Sequence, residues 1–248
     1  MKKIEGVITA MATPFDESGA VDTDAARRLA AHLLEHGSHG LVVAATSGEL
    51  PTLTDEEEIV LLRAVREEVG DDVLLVCGAG TNDTRHSCEL TRMVAEAGAD
   101  ASLVVAPYYN KPNRAGLCAH FEAVAEAVPG LPLIMYNIPS RVVINMPPDL
   151  LAELAQIENI VAVKQANNEE LGPIEGLDVL AGNDDVFLRV LEFGGAGGIT
   201  VASHIAGDRM REIRIETGRP DASSVGIAIR DSGVGVKESE LERIFEHF

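Results

Sequence analysis

Eight apolar runs of strand length, spread over residues 6–202, constrain the fold of this 248-residue chain more than any other feature. Most of the runs are continuously apolar rather than alternating, which is typical of parallel strands buried on both faces. Five stretches between them have helical periodicity. The strand-like runs are residues 6–10, 40–45, 73–77, 101–106, 132–136, 160–164, 178–181 and 198–202, and the helical stretches are residues 22–36, 54–69, 84–97, 115–127 and 148–156.

This alternation of strands and helices predicts an α/β fold, and eight strands predict a (β/α)8 TIM barrel. A doubly wound open sheet is the alternative architecture. That fold usually has a glycine-rich phosphate loop after its first strand, whereas this chain continues with Ala-Met-Ala-Thr-Pro at residues 10–14. The barrel is therefore favoured, and active sites in barrels lie at the carboxyl ends of the strands.

The composition limits the classes of partner and the cellular location. A formal net charge of −20 and a pI near 4.6 argue against nucleic acids and anionic membranes as partners. Three sparse cysteines fit a reducing compartment without a disulfide framework. The start of the chain is charged and lacks the apolar region of a signal peptide, and no apolar stretch is long enough to span a bilayer. We therefore expect a cytoplasmic protein.

Lys164 ends the sixth run and is expected at the active face of the barrel. A lysine at the end of a strand is often only a solvated terminus. Inside a barrel mouth, however, loss of water lowers its pKa and leaves a neutral amine. Such an amine attacks a carbonyl carbon and forms an imine, which then serves as an electron sink.

Other polar side chains follow the neighbouring runs. Tyr136 is either a proton shuttle or a core aromatic with a satisfied hydroxyl. Arg141 is either a bidentate clamp for a carboxylate or part of a surface ion pair. Thr46 and Ser47 lie in a tight turn that ends at Gly48, which is a fair cradle for an anion.

Taken together, these segments resemble the dihydrodipicolinate synthase family of pyruvate-dependent class I aldolases, in order and spacing, over residues 4–212. Two further segments match more loosely, residues 181–184 and 194–199. The main matching segments are Ala-Ala-Thr-Ser-Gly-Glu at 44–49, Pro-Tyr-Tyr-Asn-Lys-Pro at 107–112, Tyr-Asn-Ile-Pro-Ser-Arg at 136–141 and Val-Ala-Val-Lys at 161–164.

The resemblance implies a mechanism without a metal or a diffusible cofactor, in the pathway to diaminopimelate and lysine. Its substrates are pyruvate and aspartate 4-semialdehyde, and its assembly is a homodimer or homotetramer. The implied roles are an imine with pyruvate at Lys164, proton transfer by Tyr136, a relay through Thr46 to Tyr109 of a neighbouring subunit, pyruvate binding by Ser47, Gly48, Gly182 and Ile199, and binding of the aldehyde substrate's carboxylate by Arg141.

Several positions depart from the family pattern. Ser47 stands where a threonine is usual, and Gln165 replaces a frequent glutamate. Asp55, Glu58 and His86 occupy positions that bind lysine in lysine-inhibited members, so feedback inhibition by lysine is not expected. Another pyruvate-dependent aldolase or lyase, acting on N-acetylneuraminate or a keto-deoxy sugar acid, and an inactive truncated chimera are the alternatives. Arg141 favours the synthase, because related lyases usually lack it.

The C-terminal residues 213–248 do not continue the family pattern, so we divide the chain into a barrel at 1–212 and a separate tail. The tail resembles a fragment of the ATPase domain of sensor histidine kinases, with two strands, an Asp-Ser-Gly-Val-Gly segment at 231–235 and a final helix at 238–247. Too little of a nucleotide pocket is present for ATP binding. We expect this β-β-α tail to replace the eighth helix and the helical region that follows it in the family.

Overall fold

The computed structural model describes residues 2–212 in full and, beyond them, the backbone of Arg214–Asp221 and Ser224–Arg230. Eight parallel strands close into a barrel in chain order, with the first strand paired to the eighth. The predicted TIM barrel is therefore confirmed. The strands are β1 (Gly6–Ala10), β2 (Gly40–Val43), β3 (Leu74–Gly78), β4 (Ala101–Val105), β5 (Leu133–Asn137), β6 (Ile160–Gln165), β7 (Asp178–Ala181) and β8 (Gly197–Thr200).

Helices surround the barrel, and the longer ones begin at side-chain caps. Asp22 accepts a hydrogen bond from the Ala25 N–H at 2.8 Å, and Thr54 and Glu57 form a capping box. The helices are α1 (Thr23–Glu35), α2 (Asp55–Val69), α3 (Thr84–Glu96), α4 (Arg114–Ala127), α5 (Pro139–Val142), α6 (Pro148–Leu154), α7 (Phe187–Glu192) and α8 (Ser203–Arg211). Within the described residues, none of them is long and apolar enough to cross a membrane.

Side chains from many strands fill the inside of the barrel and form the floor of its mouth. They belong to one buried hydrophobic cluster, in which Ile8, Val42, Val76, Ile134 and Ile199 are 0% exposed. Because side chains alternate across a strand, the residues between them face the outer helices. The barrel is thus a packed core rather than a pore, and only its carboxyl end is left for a site.

The eighth helix corrects one detail of the sequence prediction. We expected the tail to replace it, but α8 follows β8 and contacts both α1 and β1. Its start is fixed by hydroxyl groups, since Ser203 accepts hydrogen bonds from Thr9 at 2.8 Å and Thr200 at 3.1 Å. The backbones of Gly37 and Gly207 then lie too close for a side chain at either position. A shortened helix therefore completes the ring.

The backbone beyond α8 forms an antiparallel hairpin of β9 (Arg214–Asp221) and β10 (Ser224–Arg230). The predicted helix at 238–247 and the segment at 231–235 lie outside the described residues. The resemblance of the tail to a histidine kinase fragment, and the division of the chain at residue 212, stay predictions.

Glu58 is a carboxyl group buried between α2 and the barrel wall, with an exposed fraction of only 1%. Burial raises its pKa to about 8. A hydrogen bond from the Cys77 thiol at 3.3 Å lowers this pKa in part, and the negative charge of Asp55 raises it further. Glu58 is therefore a neutral acid near pH 7. In the unfolded chain its pKa returns to the ordinary value of 4.5.

This difference predicts how the stability of the protein varies with pH. Between about pH 4.5 and pH 8 the folded state binds more protons at Glu58 than the unfolded state, so stability falls as pH rises. Glu58→Gln removes this dependence. Relative to the wild type, we expect the variant to gain up to about 1.4 kcal/mol of unfolding free energy per pH unit across that window. Urea unfolding at several pH values measures the difference, and Glu56→Gln, on the exposed face of α2, is the control. Parallel stability curves for wild type and Glu58→Gln would contradict the assignment.

Candidate active site

Lys164 and Tyr136 lie side by side at the carboxyl ends of β6 and β5. The two residues are register partners across these parallel strands, so both side chains point into the barrel. Each is only 4% exposed. The Lys164 Nζ lies 4.3 Å from the centroid of the Tyr136 ring, within cation–π range. The structure therefore brings together the two residues that sequence analysis ranked first.

The environment of Lys164 favours its neutral form. Burial lowers its pKa from 10.5 to about 8, because the ammonium group loses its hydration. The negative charge of Asp184 raises the pKa in opposition, and the positive charge of Arg141 lowers it further. A useful fraction of the amine is therefore unprotonated near neutral pH and able to act as a nucleophile.

Tyr136 connects this amine to the turn after β2. Burial raises the pKa of its phenol, while a hydrogen bond with the Thr46 side chain and the charge of Arg141 lower it in part. The phenol thus stays protonated at neutral pH and has a hydroxyl partner. A protonated phenol beside a neutral amine can give a proton to a developing alkoxide and take it back.

Hydrogen bonds fix the turn that carries Thr46 and Ser47. The Thr13 hydroxyl donates to the Gly48 carbonyl at 2.6 Å, and the Gly48 N–H donates to Ala45 at 3.1 Å. Gly48 is buried, while the two hydroxyl residues are half-buried. Sequence analysis did not single out Thr13, because its role depends on a contact between the segments that follow the neighbouring strands β1 and β2.

Backbone strain is concentrated at this end of the barrel. Among the described residues, the five non-glycine residues with positive φ all lie in the segments that follow β2, β4 and β5. Strain of this kind persists only where surrounding structure enforces it, and it is common at functional sites. The strained residues are Ala44, Glu49, Tyr109, Lys111 and Val143.

Arg141 lies on the short helix α5, just beyond the end of β5. Its side chain is exposed and forms no ion pair within residues 2–212. Its charge nevertheless reaches Lys164 and Tyr136, whose pKa values it lowers. The surface ion pair left open by the sequence is therefore wrong for this part of the chain. The guanidinium is available for an anion at the mouth.

The opposite wall of the mouth is formed by β7 and β8. Ile199 is fully buried, and a Cβ atom on Gly182 would lie 2.8 Å from the Gln165 backbone. Asp184 accepts hydrogen bonds from the N–H groups of Val201 and Ala202 at 3.0 and 2.9 Å, which fixes the start of α8. Sequence analysis included Asp184 only within the loosely matching segment 181–184, because the effect of its charge on Lys164 depends on the closed barrel.

Tyr109 is the one proposed catalytic residue that its own chain does not bring to the site. It is 87% exposed and has a φ of 68°. Residues 2–212 contain no group of three or more His, Cys, Asp or Glu side chains arranged to hold a metal ion. The described side chains thus place a buried amine, a buried phenol and the turn of Thr46 and Ser47 at one end of the barrel.

Two opposite charges near Lys164 predict opposite changes in its reactivity. Asp184→Asn keeps the acceptor for the Val201 and Ala202 N–H groups but removes the negative charge, so the pKa of Lys164 should fall. Arg141→Gln removes a positive charge, so that pKa should rise. The measurement is the pH dependence of reductive methylation of Lys164 by formaldehyde, read by mass spectrometry. The wild-type midpoint is expected at about 8. Midpoints that move in the same direction would contradict the described electrostatics.

The strained backbone at Val143 makes a separate prediction about stability. A β-branched residue is disfavoured at a φ of 69°, and this side chain is 65% exposed and so has little packing to lose. Val143→Gly should therefore raise the unfolding free energy by about 1 kcal/mol. The matched control is Val142→Gly, which should destabilise because Val142 is helical and buried. Chemical denaturation compares the two, and a loss of stability in Val143→Gly would rule out strain at this position.

Comparison with known proteins identifies the family. A model of the Dihydrodipicolinate synthetase family matches residues 3–225. The 4-hydroxy-tetrahydrodipicolinate synthase of Parasynechococcus marenigrum (strain WH8102) is 46% identical over 232 residues, which cover 91% of this chain and 76% of that protein. The crystal structure of a dihydrodipicolinate synthase from Bacillus anthracis is 38% identical with a TM-score of 0.80, covering 86% of this chain and 75% of that one. The chloride-inhibited enzyme of Acinetobacter baumannii, in a complex with pyruvate, is 35% identical with a TM-score of 0.81, covering 85% of this chain and 74% of that one. The chain belongs to the dihydrodipicolinate synthetase family.

Proposed function

We propose that this protein is a 4-hydroxy-tetrahydrodipicolinate synthase, which condenses pyruvate with aspartate 4-semialdehyde on the path to diaminopimelate and lysine. The observation that carries the proposal is the buried Lys164 amine, with its pKa lowered to about 8, packed against the Tyr136 ring. A buried amine of this kind is suited to imine formation, and within residues 2–212 no carboxylate forms an ion pair with it. The names of the relatives specify the reaction.

The chemistry begins with attack of the neutral Lys164 Nζ on the keto carbon of pyruvate. The resulting alkoxide takes a proton from Tyr136, and loss of water gives the imine. Removal of a methyl proton then gives an enamine, because the protonated imine accepts the electron pair. The enamine carbon attacks the aldehyde, and the amino group of the second substrate attacks the imine carbon. Ring closure releases Lys164 as a free amine.

Two anion-binding elements would orient the substrates. The turn of Thr46, Ser47 and Gly48 offers hydroxyl and backbone groups to the pyruvate carboxylate, with Gly182 and Ile199 on the opposite wall. Arg141, which has no ion pair in residues 2–212, would bind the carboxylate of aspartate 4-semialdehyde. This carboxylate distinguishes the proposed substrate from the neutral sugar acceptors of related lyases.

A second copy of the chain would complete the proton relay. Tyr109 is 87% exposed in a single chain, which leaves its side chain open to contact with a second copy. In the proposed homodimer or homotetramer, Tyr109 of one subunit would approach Thr46 of its partner and connect Tyr136 to solvent. The imine itself is the electron sink, so the proposal requires no diffusible cofactor or metal. The cytoplasmic location also stays a prediction.

Trapping of the imine tests the proposal. Incubation with pyruvate and borohydride should attach a reduced pyruvyl group to Lys164, as read by peptide mass spectrometry. Lys164→Met should abolish the adduct, whereas Lys111→Met, at the exposed mouth, should retain it. Aspartate 4-semialdehyde should reduce the trapped fraction by consuming the enamine. N-acetylmannosamine should not.

Two outcomes would contradict the proposal in different ways. A folded wild-type protein without any adduct would mean that the chain is inactive, as expected of a truncated chimera. An adduct that is consumed by N-acetylmannosamine and not by aspartate 4-semialdehyde would assign the protein to the lyases that act on N-acetylneuraminate.

A further inference from the structure

A network of buried amides lies directly behind the Lys164–Tyr136 pair. Asn137 follows Tyr136 on β5, Gln165 follows Lys164 on β6, and these two amides are also register partners. Alternation along the strands turns them to the outer side of the barrel wall. Both are 0% exposed. A polar wall at this depth requires an explanation, because apolar side chains usually fill the space between strands and helices.

Asn137 is the centre of the network. Its Nδ2 donates to the Gln165 Oε1 at 3.0 Å, to the Asn145 Oδ1 at 2.9 Å and to the Met146 carbonyl at 3.2 Å. Its Oδ1 accepts from the Met146 N–H at 3.1 Å. The end of β5 is thereby bonded to β6 and to the segment that follows α5. That segment is the C-terminal end of the stretch at 138–146, which carries Arg141.

The network continues into the loop after β6. The Gln165 Oε1 also accepts from the Asn167 N–H at 3.0 Å, and the Asn167 side chain donates to the Asn145 Oδ1 at 3.2 Å. The Asn145 Nδ2 then donates to the Glu170 Oε2 at 2.7 Å. Asn145 therefore joins the Arg141 segment to both the β5 strand and the loop at 166–170.

The segment at 138–146 is held by this network and by apolar packing, since Ile138, Val142 and Met146 are buried in the main hydrophobic cluster. The helix α5 has only four residues, begins with a proline and has no side-chain cap, and it ends at the strained Val143. A hydrogen-bonded network in a low-dielectric interior admits few alternative arrangements, since each broken bond leaves a desolvated group. The amide network thus supplies the polar contacts that fix the end of the Arg141 segment relative to the strand ends.

We propose that Asn137, Asn145 and Gln165 are positioning residues of the condensation, which hold the Arg141 segment in register with the strand ends bearing Tyr136 and Lys164. None of the three touches the reacting atoms. This inference rests on the proposed function, because it assigns to Arg141 the carboxylate of the second substrate. In the network Gln165 acts through its Oε1, as a double acceptor for Asn137 and Asn167.

A donor–acceptor exchange between Asn145 and Glu170 tests the inference. Asn145→Asp keeps the acceptor for Asn137 and Asn167 but places a second carboxylate 2.7 Å from Glu170, where Asn145 now donates. Repulsion should displace the Arg141 segment. We expect the KM for aspartate 4-semialdehyde to rise by roughly tenfold or more, equivalent to losing one charge-assisted hydrogen bond. The KM for pyruvate and the borohydride-trapped fraction should stay near the wild-type values.

A double variant distinguishes the loss of this one hydrogen bond from a general loss of stability. Adding Glu170→Gln to Asn145→Asp restores one donor facing one acceptor, so the KM for the aldehyde should return toward the wild-type value. Glu170→Gln alone keeps an acceptor for Asn145 and should change little. Asn113→Asp is the matched exposed substitution, because Asn113 only accepts, from the Gly116 N–H, and it should leave both KM values unchanged.

The outcomes separate this inference from the proposed function. If Asn145→Asp does not fold, Glu170→Ala removes the same bond without adding charge and should raise the KM for the aldehyde alone, by a smaller factor. Unchanged KM values in a folded variant, equal increases for both substrates, or no recovery in the double variant would overturn the positioning role while the proposed function stands. A wild-type protein that neither traps pyruvate nor turns over would overturn both.

Discussion

The removal of one ammonium group from water is the constraint on which the rest of this site depends. Lys164 is almost fully buried, and desolvation is the largest of the influences that lower its pKa to about 8. That desolvation exists only because eight strands close into a ring whose interior is packed below the amine. Asp184 and Arg141 then adjust the pKa in opposite directions. Closure of the barrel is therefore also what lowers the pKa of Lys164.

Other parts of the mouth follow from the same geometry. Parallel strands deliver their last side chains to one rim, so Tyr136 and Lys164 meet without any contribution from long-range loops. The loops supply the groups that must meet a charged ligand, and they carry the strained backbone positions. The amides behind the rim connect the two sets. In this arrangement the strands position Lys164 and Tyr136, and the amides hold the segment that carries Arg141.

Much of this could be predicted from the sequence because it depends on local pattern. Continuous apolar runs located all eight strands within a few residues, and the helical period at residues 54–69 located α2. The short helices α5 and α7 were missed, since four and six residues are too few to show a helical period. The sequence prediction replaced the eighth helix by the tail and so missed α8, whose anchor Thr9 lies on β1, far from it in the sequence.

The sequence likewise identified some side chains of the site and missed others. Lys164, Tyr136 and Thr46 could be identified because each ends or follows a strand-like run and matches a family motif. The roles of Asn137, Gln165 and Asp184 could not, because they depend on which side of the wall a residue faces and on what packs there. Tyr109 illustrates a further limit. Its proposed role requires a second copy of the chain, and the pattern of one sequence does not show how two copies meet.

The most direct measurement of the central claim is a crystal structure of the protein soaked with pyruvate. The account predicts continuous electron density from the Lys164 Nζ to the keto carbon, with the carboxylate of the adduct against the turn of Thr46 and Ser47 and the Tyr136 hydroxyl near the new bond. Pyruvate bound elsewhere, or an unmodified Lys164 amine at saturating pyruvate, would contradict it.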